Sequence, residues 1–302
     1  MHEPSVYIII LNWNGGRDTI ESVESCRRLT YPNFRILIVD NGSTDGSEAF
    51  IREKFPDQEI IQTGANLGFA GGNNTGVRYA IERRADYVWL LNNDATVAPD
   101  ALAQLVRTAG ADERIGMVGS KIVYSENSGL LWYAGANLDF DTPWLMHHRG
   151  LGQEDTGQYG KVEETGFVTG CSLLARREML LEIGLMDENF FLYFEDSDLS
   201  VRAKKAGWKL FYCPASRIYH KVSLSVGGAD SPVMLYYYSR NFLYFVNKNF
   251  PEKFTQSLLH DFFEHVLVNV KKRKFACAAK AMQGIYHYFT GKKGPLQGKA
   301  QR

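Results

Sequence analysis

The stretch YVWLLNNDATV (residues 87–97) poses the central question of this chain. Val88, Trp89, Leu90 and Leu91 read as a buried strand, and Asn92, Asn93 and Asp94 follow it at once. Asn and Asp commonly end strands by bonding their own backbone, so a plain turn is one reading. A ligand site at a strand end is the other. The flanking segments decide between them.

Working outward, SVYIIILNW (5–13) and FRILIVD (34–40) are continuous β-branched runs, and EIIQTG (59–64) is a shorter strand. Segments 18–29, 45–55 and 71–84 carry helical spacing, with Asp45 or Ser47 a candidate cap for the second. Pro99 opens a further helix. Continuous apolar strands alternating with helices predict a parallel α/β sheet covered on both faces. Farther on, 116–124 and 167–177 read as strands, with loops or irregular hairpins between them. Residues 198–207 read as a helix closed by Gly207, and 209–220 as extended chain. Beyond Tyr236 the pattern is helical and aromatic.

Composition narrows the partners. The chain has 302 residues, 45% hydrophobic and 23% charged, as in a soluble globular protein of one large domain with an appendage or of two domains. With a net charge of zero, no global field argues for nucleic acid, and none is expected as a partner. Residues 251–302 nevertheless hold ten Lys/Arg against three Asp/Glu, a net of +7, which leaves −7 on residues 1–250. A basic tail on an acidic body suggests an anionic surface, with membrane contact through 254–302 as one candidate. Cys26, Cys171, Cys213 and Cys277 form no CxxC pair, which fits a reduced cytoplasmic setting. No signal peptide is visible, and no apolar run approaches the ~20 residues needed to span a bilayer.

Three strands end alike: Asn12-Trp13-Asn14-Gly15, Asp40-Asn41-Gly42-Ser43 and Asn92-Asn93-Asp94. Ligands of open parallel sheets bind beyond the carboxyl ends of the strands, so these residues would form one polar rim. NLGFAGGNNTG (66–76) adds a Gly-rich loop leading into a helix, but it is neither GxGxxG nor GxxxxGK[ST]. A second acidic cluster, Glu195, Asp196 and Asp198, follows the run FFLYF. Acids at a helix start complement its dipole, which accounts for Asp198 better than for a Glu-Asp pair beside aromatics. His220 closes RIYH, and a lone His near a strand end is more often structural than a ligand.

IIILNWNG, LIVDNGSTDGS, NLGFAGGNNTG, WLLNNDATV, FVTGCSLLARRE, FFLYFEDSDLSVRAKKAGW and IYH occur in the order seen in inverting family 2 glycosyltransferases. The chain resembles their rhamnosyltransferase-like branch over residues 5–225, and more faintly through 236–251. The resemblance implies a GT-A fold: a mostly parallel central sheet flanked by helices, with a helical C-terminal extension. It implies a catalytic domain over 1–230, divided into a nucleotide-binding half (1–97) and an acceptor-binding half (98–230), then a helical region over 231–302. By similarity Asp40 binds the pyrimidine imide. Asn92-Asn93-Asp94 falls on the DxD-like motif, Asp94 and His220 on the metal ligands, and Asp196 on the general base. Asn12, Asn14, Asn66, Gly68 and Asn74 join the donor side, and Glu195 and Gly170 the acceptor side. Asn92 departs from the pattern, leaving one fewer anion for the metal.

The implied chemistry suits these residue types. Mg²⁺ or Mn²⁺ held by oxygen ligands neutralises a departing diphosphate. A carboxylate takes the proton of the attacking hydroxyl, and one base with no second nucleophile fits inversion. The expected partners are a dTDP- or UDP-sugar and a saccharide or lipid-linked acceptor, at the inner face of the cell membrane. Two rivals remain. A nucleotidyltransferase needs a basic loop after the first strand, where NWNGGRD offers only Arg17. A non-catalytic carbohydrate-binding relative could lose Asp196 without consequence.

Overall fold

The computed structural model describes residues 3–139, 145–222 and 231–296. The chain opens with β1 (Val6–Asn12), α1 (Gly16–Cys26), β2 (Phe34–Asp40), α2 (Ser47–Lys54) and β3 (Glu59–Gln62). Next come α3 (Gly68–Glu82), β4 (Tyr87–Asn92), β5 (Ala95–Val97), α4 (Ala101–Gly110) and β6 (Ile115–Tyr124). The stretch expected to be irregular holds β7 (Leu131–Tyr133), a hairpin of β8 (Ala136–Asp139) and β9 (Leu145–His148), and β10 (Glu163–Glu164). Then follow β11 (Ser172–Arg176), α5 (Arg177–Ile183), α6 (Glu195–Lys205) and β12 (Lys209–His220). The C-terminal segment is α7 (Pro232–Asn249), α8 (Phe254–Asp261), a π-helical stretch (Phe262–Leu267), α9 (Val268–Lys271) and α10 (Phe275–Phe289).

The main path of the sheet runs β10-β12-β6-β11-β4-β1-β2-β3. β1 lies parallel to β2 and β4, β2 to β3, and β12 to β6. The sheet is thus mostly parallel, but β11 runs antiparallel between β4 and β6. That reversal brings the start of β11 beside the end of β4, with Ser172 opposite Leu91.

Side chains alternate across each strand, so an all-apolar strand feeds two cores. Ile8, Ile10, Ile38 and Trp89 pack with Val23 of α1 and Leu105 of α4. Ile9, Leu37, Val39 and Leu90 pack with Val77 of α3, Met179 of α5 and Leu199 of α6.

Several expected boundaries move. α3 begins at Gly68, so Gly71, Gly72 and Gly76 lie inside the helix and not in a loop before it. A Cβ on Gly76 would sit 2.5 Å from Ile9 Cγ2, so glycine here lets α3 lie close against the sheet. Only Ser172–Arg176 of the expected strand 167–177 is strand. α4 starts after Pro99, with Asp100 as N-cap, and Gly46 is the N-cap of α2, with Asp45 Oδ1 accepting from the Ser47 N–H at 2.9 Å. α6 starts at Glu195, three residues before its expected start.

α7 supports that early start. Phe191, Tyr193 and Phe194 all have positive φ, at 66°, 69° and 72°, which costs non-glycine residues free energy. Buried α7 side chains hold the loop in place. Arg240 Nη2 and Asn241 Nδ2 donate to Phe190 O at 2.9 and 2.7 Å, and Asn241 Nδ2 also donates to Leu192 O at 2.6 Å. Phe190, Phe194 and Val201 share a core with Phe242, Phe245 and Val246 of α7.

Candidate active site

β1, β2 and β4 end in step: Asn12 pairs with Asp40, and Leu11 with Asn92. Asn12 is fully buried and fully engaged. Its Nδ2 donates to Asp40 Oδ2 (2.7 Å) and Ser43 Oγ (3.1 Å), and its Oδ1 accepts from Thr19 Oγ1 (2.8 Å) and the Gly15 N–H (3.3 Å). It organises the strand ends. Asn14, at φ 52°, braces the next turn by accepting the Thr44 N–H at 2.8 Å.

Asp40 is also fully buried. Besides Asn12, the Ser43 N–H (2.9 Å) and Gln62 Nε2 (2.8 Å) donate to its Oδ1. Sequence reasoning missed Gln62. The β2–β3 register, which sets Asp40 opposite Gln62, places this exposed amide over the carboxylate.

The 66–76 segment divides. Asn66 Oδ1 accepts from Asn41 Nδ2 (3.1 Å) and the Gly68 N–H (2.8 Å), beside the β2 end. Gly68, at φ 75°, lies against Phe191, whose carbonyl accepts the Phe69 N–H at 2.6 Å. Asn74 was expected on the donor side. Its carboxamide instead engages Met186 O and Glu188 Oε1, both at 2.9 Å, and so ties α3 to the loop leading to the second acidic cluster.

After β4 the three polar residues part ways. Asn92 is half-buried at the strand end, and its N–H donates to Cys171 O at 3.0 Å. Asn93 Nδ2 turns onto the start of α1, 3.2 Å from Thr19 Oγ1. Asp94 is buried, and its Oδ1 lies 3.1 Å from His220 Nε2. The β5–β12 pairing makes that contact, because it sets Ala95 opposite His220 and lets Asp94 O accept the Lys221 N–H at 3.0 Å. Burial disfavours charge on His220, but Cys171 and the Asp94 hydrogen bond outweigh it and hold its pKa up, at about 10. His220 Nδ1 is buried without a partner among the described residues.

The second acidic cluster is sorted by burial. Glu195 is 4% exposed, with Oε2 unpartnered among the described residues, and burial, aided by the charge of Asp196, raises its pKa well above the usual carboxylate range. Asp198, at 0% exposure, is bound by Arg202 Nε (2.8 Å), Lys248 Nζ (3.0 Å) and Asn249 Nδ2 (3.0 Å), which locks α6 to α7. Asp196 alone of the three is half-exposed. Its Oδ2 accepts the Gly170 N–H at 2.8 Å and its Oδ1 the Ser197 N–H at 2.6 Å.

Backbone contacts join the two clusters: Gly170, whose N–H bonds Asp196, directly precedes Cys171, whose carbonyl accepts the Asn92 N–H at 3.0 Å, two residues before Asp94. The site has an aromatic wall that sequence reasoning also missed. The Trp132 ring lies 4.7 Å from His220 and 4.8 Å from His148, both edge-on. Burial lowers the pKa of His148, whose Nδ1 lies 3.3 Å from Trp132 O.

Among the described residues no three His, Cys, Asp or Glu side chains group as a complete metal site. Asp94 and His220 do present a hard oxygen and an imidazole beside a partnerless buried nitrogen. That pair fits a divalent cation whose other positions are filled by a ligand's oxygens.

Residues 7–184 match the family described as glycosyl transferase family 2, and the chain belongs to that family. It is a glycosyltransferase, which sets aside the nucleotidyltransferase reading. It is 26% identical over 235 residues to an N-acetylglucosaminyl-diphospho-decaprenol L-rhamnosyltransferase of Mycobacterium tuberculosis, covering 71% of this chain and 75% of that one. Over 256 residues it is 22% identical to the dTDP-rhamnosyl transferase RfbF of Shigella flexneri, covering 81% of each. Its fold is that of GT-A glycosyltransferases. The mannosyltransferase PcManGT of Pyrobaculum calidifontis, solved with GDP-Man and Mn²⁺, aligns with TM-score 0.59 at 17% identity, over 97% of this chain and 77% of that one. GalNAc-T7, solved with UDP, GalNAc and Mn²⁺, aligns with TM-score 0.62 at 16% identity, over 95% and 55%.

Proposed function

We propose that the protein is a metal-dependent, inverting glycosyltransferase of cell-surface polysaccharide synthesis. It moves rhamnose from dTDP-rhamnose, or another hexose from a UDP-sugar, to a saccharide or lipid-linked saccharide. The observation that carries this reading is the half-exposed Asp196 carboxylate on the same edge as the buried Asp94–His220 pair. The two rhamnosyltransferases among the similar proteins favour the dTDP-rhamnose donor.

In this reading residues 1–97 serve the nucleotide, with Asp40 accepting the N3–H of thymine or uracil once Gln62 moves aside. Asn12, Asn14 and Asn66 shape the turns around it. Asp94 and His220 would hold Mn²⁺ or Mg²⁺, which when bound would supply Lewis-acid neutralisation of a diphosphate leaving group. Residues 98–230 serve the acceptor. The Trp132 indole offers its sugar ring an apolar face, and Gly170 and Ser197 aim Asp196 at the nucleophilic hydroxyl. Asp196 takes the hydroxyl proton as the new C1–O bond forms and the C1–O bond to phosphate breaks. The anomeric centre inverts because one displacement occurs. α7 braces α6 from the C-terminal side.

The test is transfer of labelled rhamnose from dTDP-rhamnose, with Mn²⁺, to a synthetic polyprenyl-diphosphate saccharide, with UDP-hexoses run in parallel. The reading predicts metal-dependent product of inverted configuration. No transfer from any dTDP- or UDP-sugar, with or without metal, defeats it.

A further inference from the structure

Among the described residues thirteen large apolar side chains are exposed, and eight of them lie between Leu259 and Phe289. α8, the π-helical stretch and α9 form one arm, and α10 is the return arm. Leu259, Phe263, Leu267 and Val270 recur along the first arm at steps of four, four and three, and all are 45–65% exposed. On α10, Phe275, Met282, Tyr286 and Phe289 form a second stripe, 40–63% exposed. The buried sides of both arms, through Val266, Ala281 and Ile285, complete the core of α7. The stripes are therefore surplus to the fold. Where the arms meet, Lys271, Lys272, Arg273 and Lys274 are exposed in succession, with Arg273 turning the chain at φ 58°.

Exposed apolar surface of this extent marks an interaction face. Its charge selects the partner. Lysine is depleted in protein–protein interfaces, and two copies meeting here would oppose two segments of net +7. An anionic bilayer supplies both complements at once, acyl chains for the stripes and phosphates for the basic tip. Among the described residues no helix is long and apolar enough to cross a membrane, so the contact is with its surface.

We infer that the two arms, residues 259–289 with their basic tip, are a docking face for an anionic lipid bilayer. Its use, keeping the catalytic edge near a lipid-linked acceptor, rests on the reading above; the surface itself does not.

The experiment is flotation of the full chain with vesicles of phosphatidylcholine alone or mixed with phosphatidylglycerol. Binding to the mixed vesicles, weakened by salt and nearly absent on phosphatidylcholine alone, is expected. Lys271→Glu/Lys272→Glu/Arg273→Glu should weaken it roughly 100-fold. Phe263→Ser/Phe289→Ser should weaken it while leaving the melting shift given by dTDP and Mn²⁺ unchanged, which shows that the donor half is intact. Failure of the wild type to float, undiminished flotation of the charge-reversed variant, or self-association through this face without lipid binding overturns the inference. Vesicle binding by a chain that transfers no sugar sinks the catalytic reading and leaves this one standing.

Discussion

The backbone N–H of Gly170 donates to Asp196 Oδ2 at 2.8 Å, joining the residue before Cys171 to the second residue of α6 across 26 positions of sequence. An added Cβ at Gly170 would fall 2.8 Å from Phe69 Cε1, so the loop can carry little more than glycine without moving. The carboxylate is held by two backbone donors and stays half-exposed.

Asp196→Asn keeps this volume and removes the proton acceptor. It should lower kcat by ~10²-fold or more while donor and metal binding stay nearly intact. Gly170→Ala should lower kcat in the same sense by a smaller factor. Asp94→Asn should behave differently, raising the Kd for donor only in the presence of metal. Steady-state kinetics beside calorimetric donor titrations separate these outcomes. Near-normal turnover of Asp196→Asn with an inactive, donor-binding Glu195→Gln would move the base to Glu195.

The nucleotide preference follows from Asp40. Its carboxylate accepts from Asn12, Ser43 and Gln62, and an incoming imide N–H can take over the place of Gln62. UDP and dTDP should bind more tightly than CDP, GDP or ADP, since an unmatched buried acceptor is costly. Gln62→Ala should leave that ranking unchanged. Calorimetry giving GDP or ADP as the tightest ligand would refute the assignment.

Asp198 is a matter of stability. Removing its carboxylate takes an acceptor from Arg202, Lys248 and Asn249 at the α6–α7 contact, although Lys248 keeps Asp187 at 2.7 Å and Arg202 keeps the carbonyls of Ile183 and Leu185, both at 2.6 Å. Asp198→Ala should cost about 1–3 kcal/mol, the loss of a buried acceptor whose cationic partners keep other contacts. Urea unfolding reads the loss directly, and a change below about 1 kcal/mol would show the pair to be energetically idle.

Glu195 sets a pH dependence. Its folded pKa is raised well above the usual carboxylate range, chiefly by burial. The folded state therefore holds a proton that the unfolded state gives up, and stability falls as pH rises from 4.5 towards the folded pKa. Glu195→Gln cannot ionise and lacks this slope. The melting temperature of the variant relative to wild type should climb between about pH 5 and about pH 8. Parallel melting curves across that range would exclude a buried neutral Glu195.

The strand-and-helix alternation, the polar strand ends and the family resemblance were all legible in sequence, because each is carried by local pattern. Ile8, Ile9 and Ile10 declare a strand buried on both faces without reference to anything distant. The helix dipole accounted for Asp198, and resemblance alone suggested roles for Glu195 and Asp196, since three acids within four positions look alike in a string. Tertiary structure separates them. α7 forces Phe194 into a left-handed conformation, α6 starts at Glu195, and successive side chains then point about 100° apart. One is driven into the interior, one onto Lys248, and Asp196 is left half-exposed beside Gly170. Gln62, Trp132 and His148 were invisible for the same reason: strand register and ring packing over long separations place them, and no local pattern records such contacts.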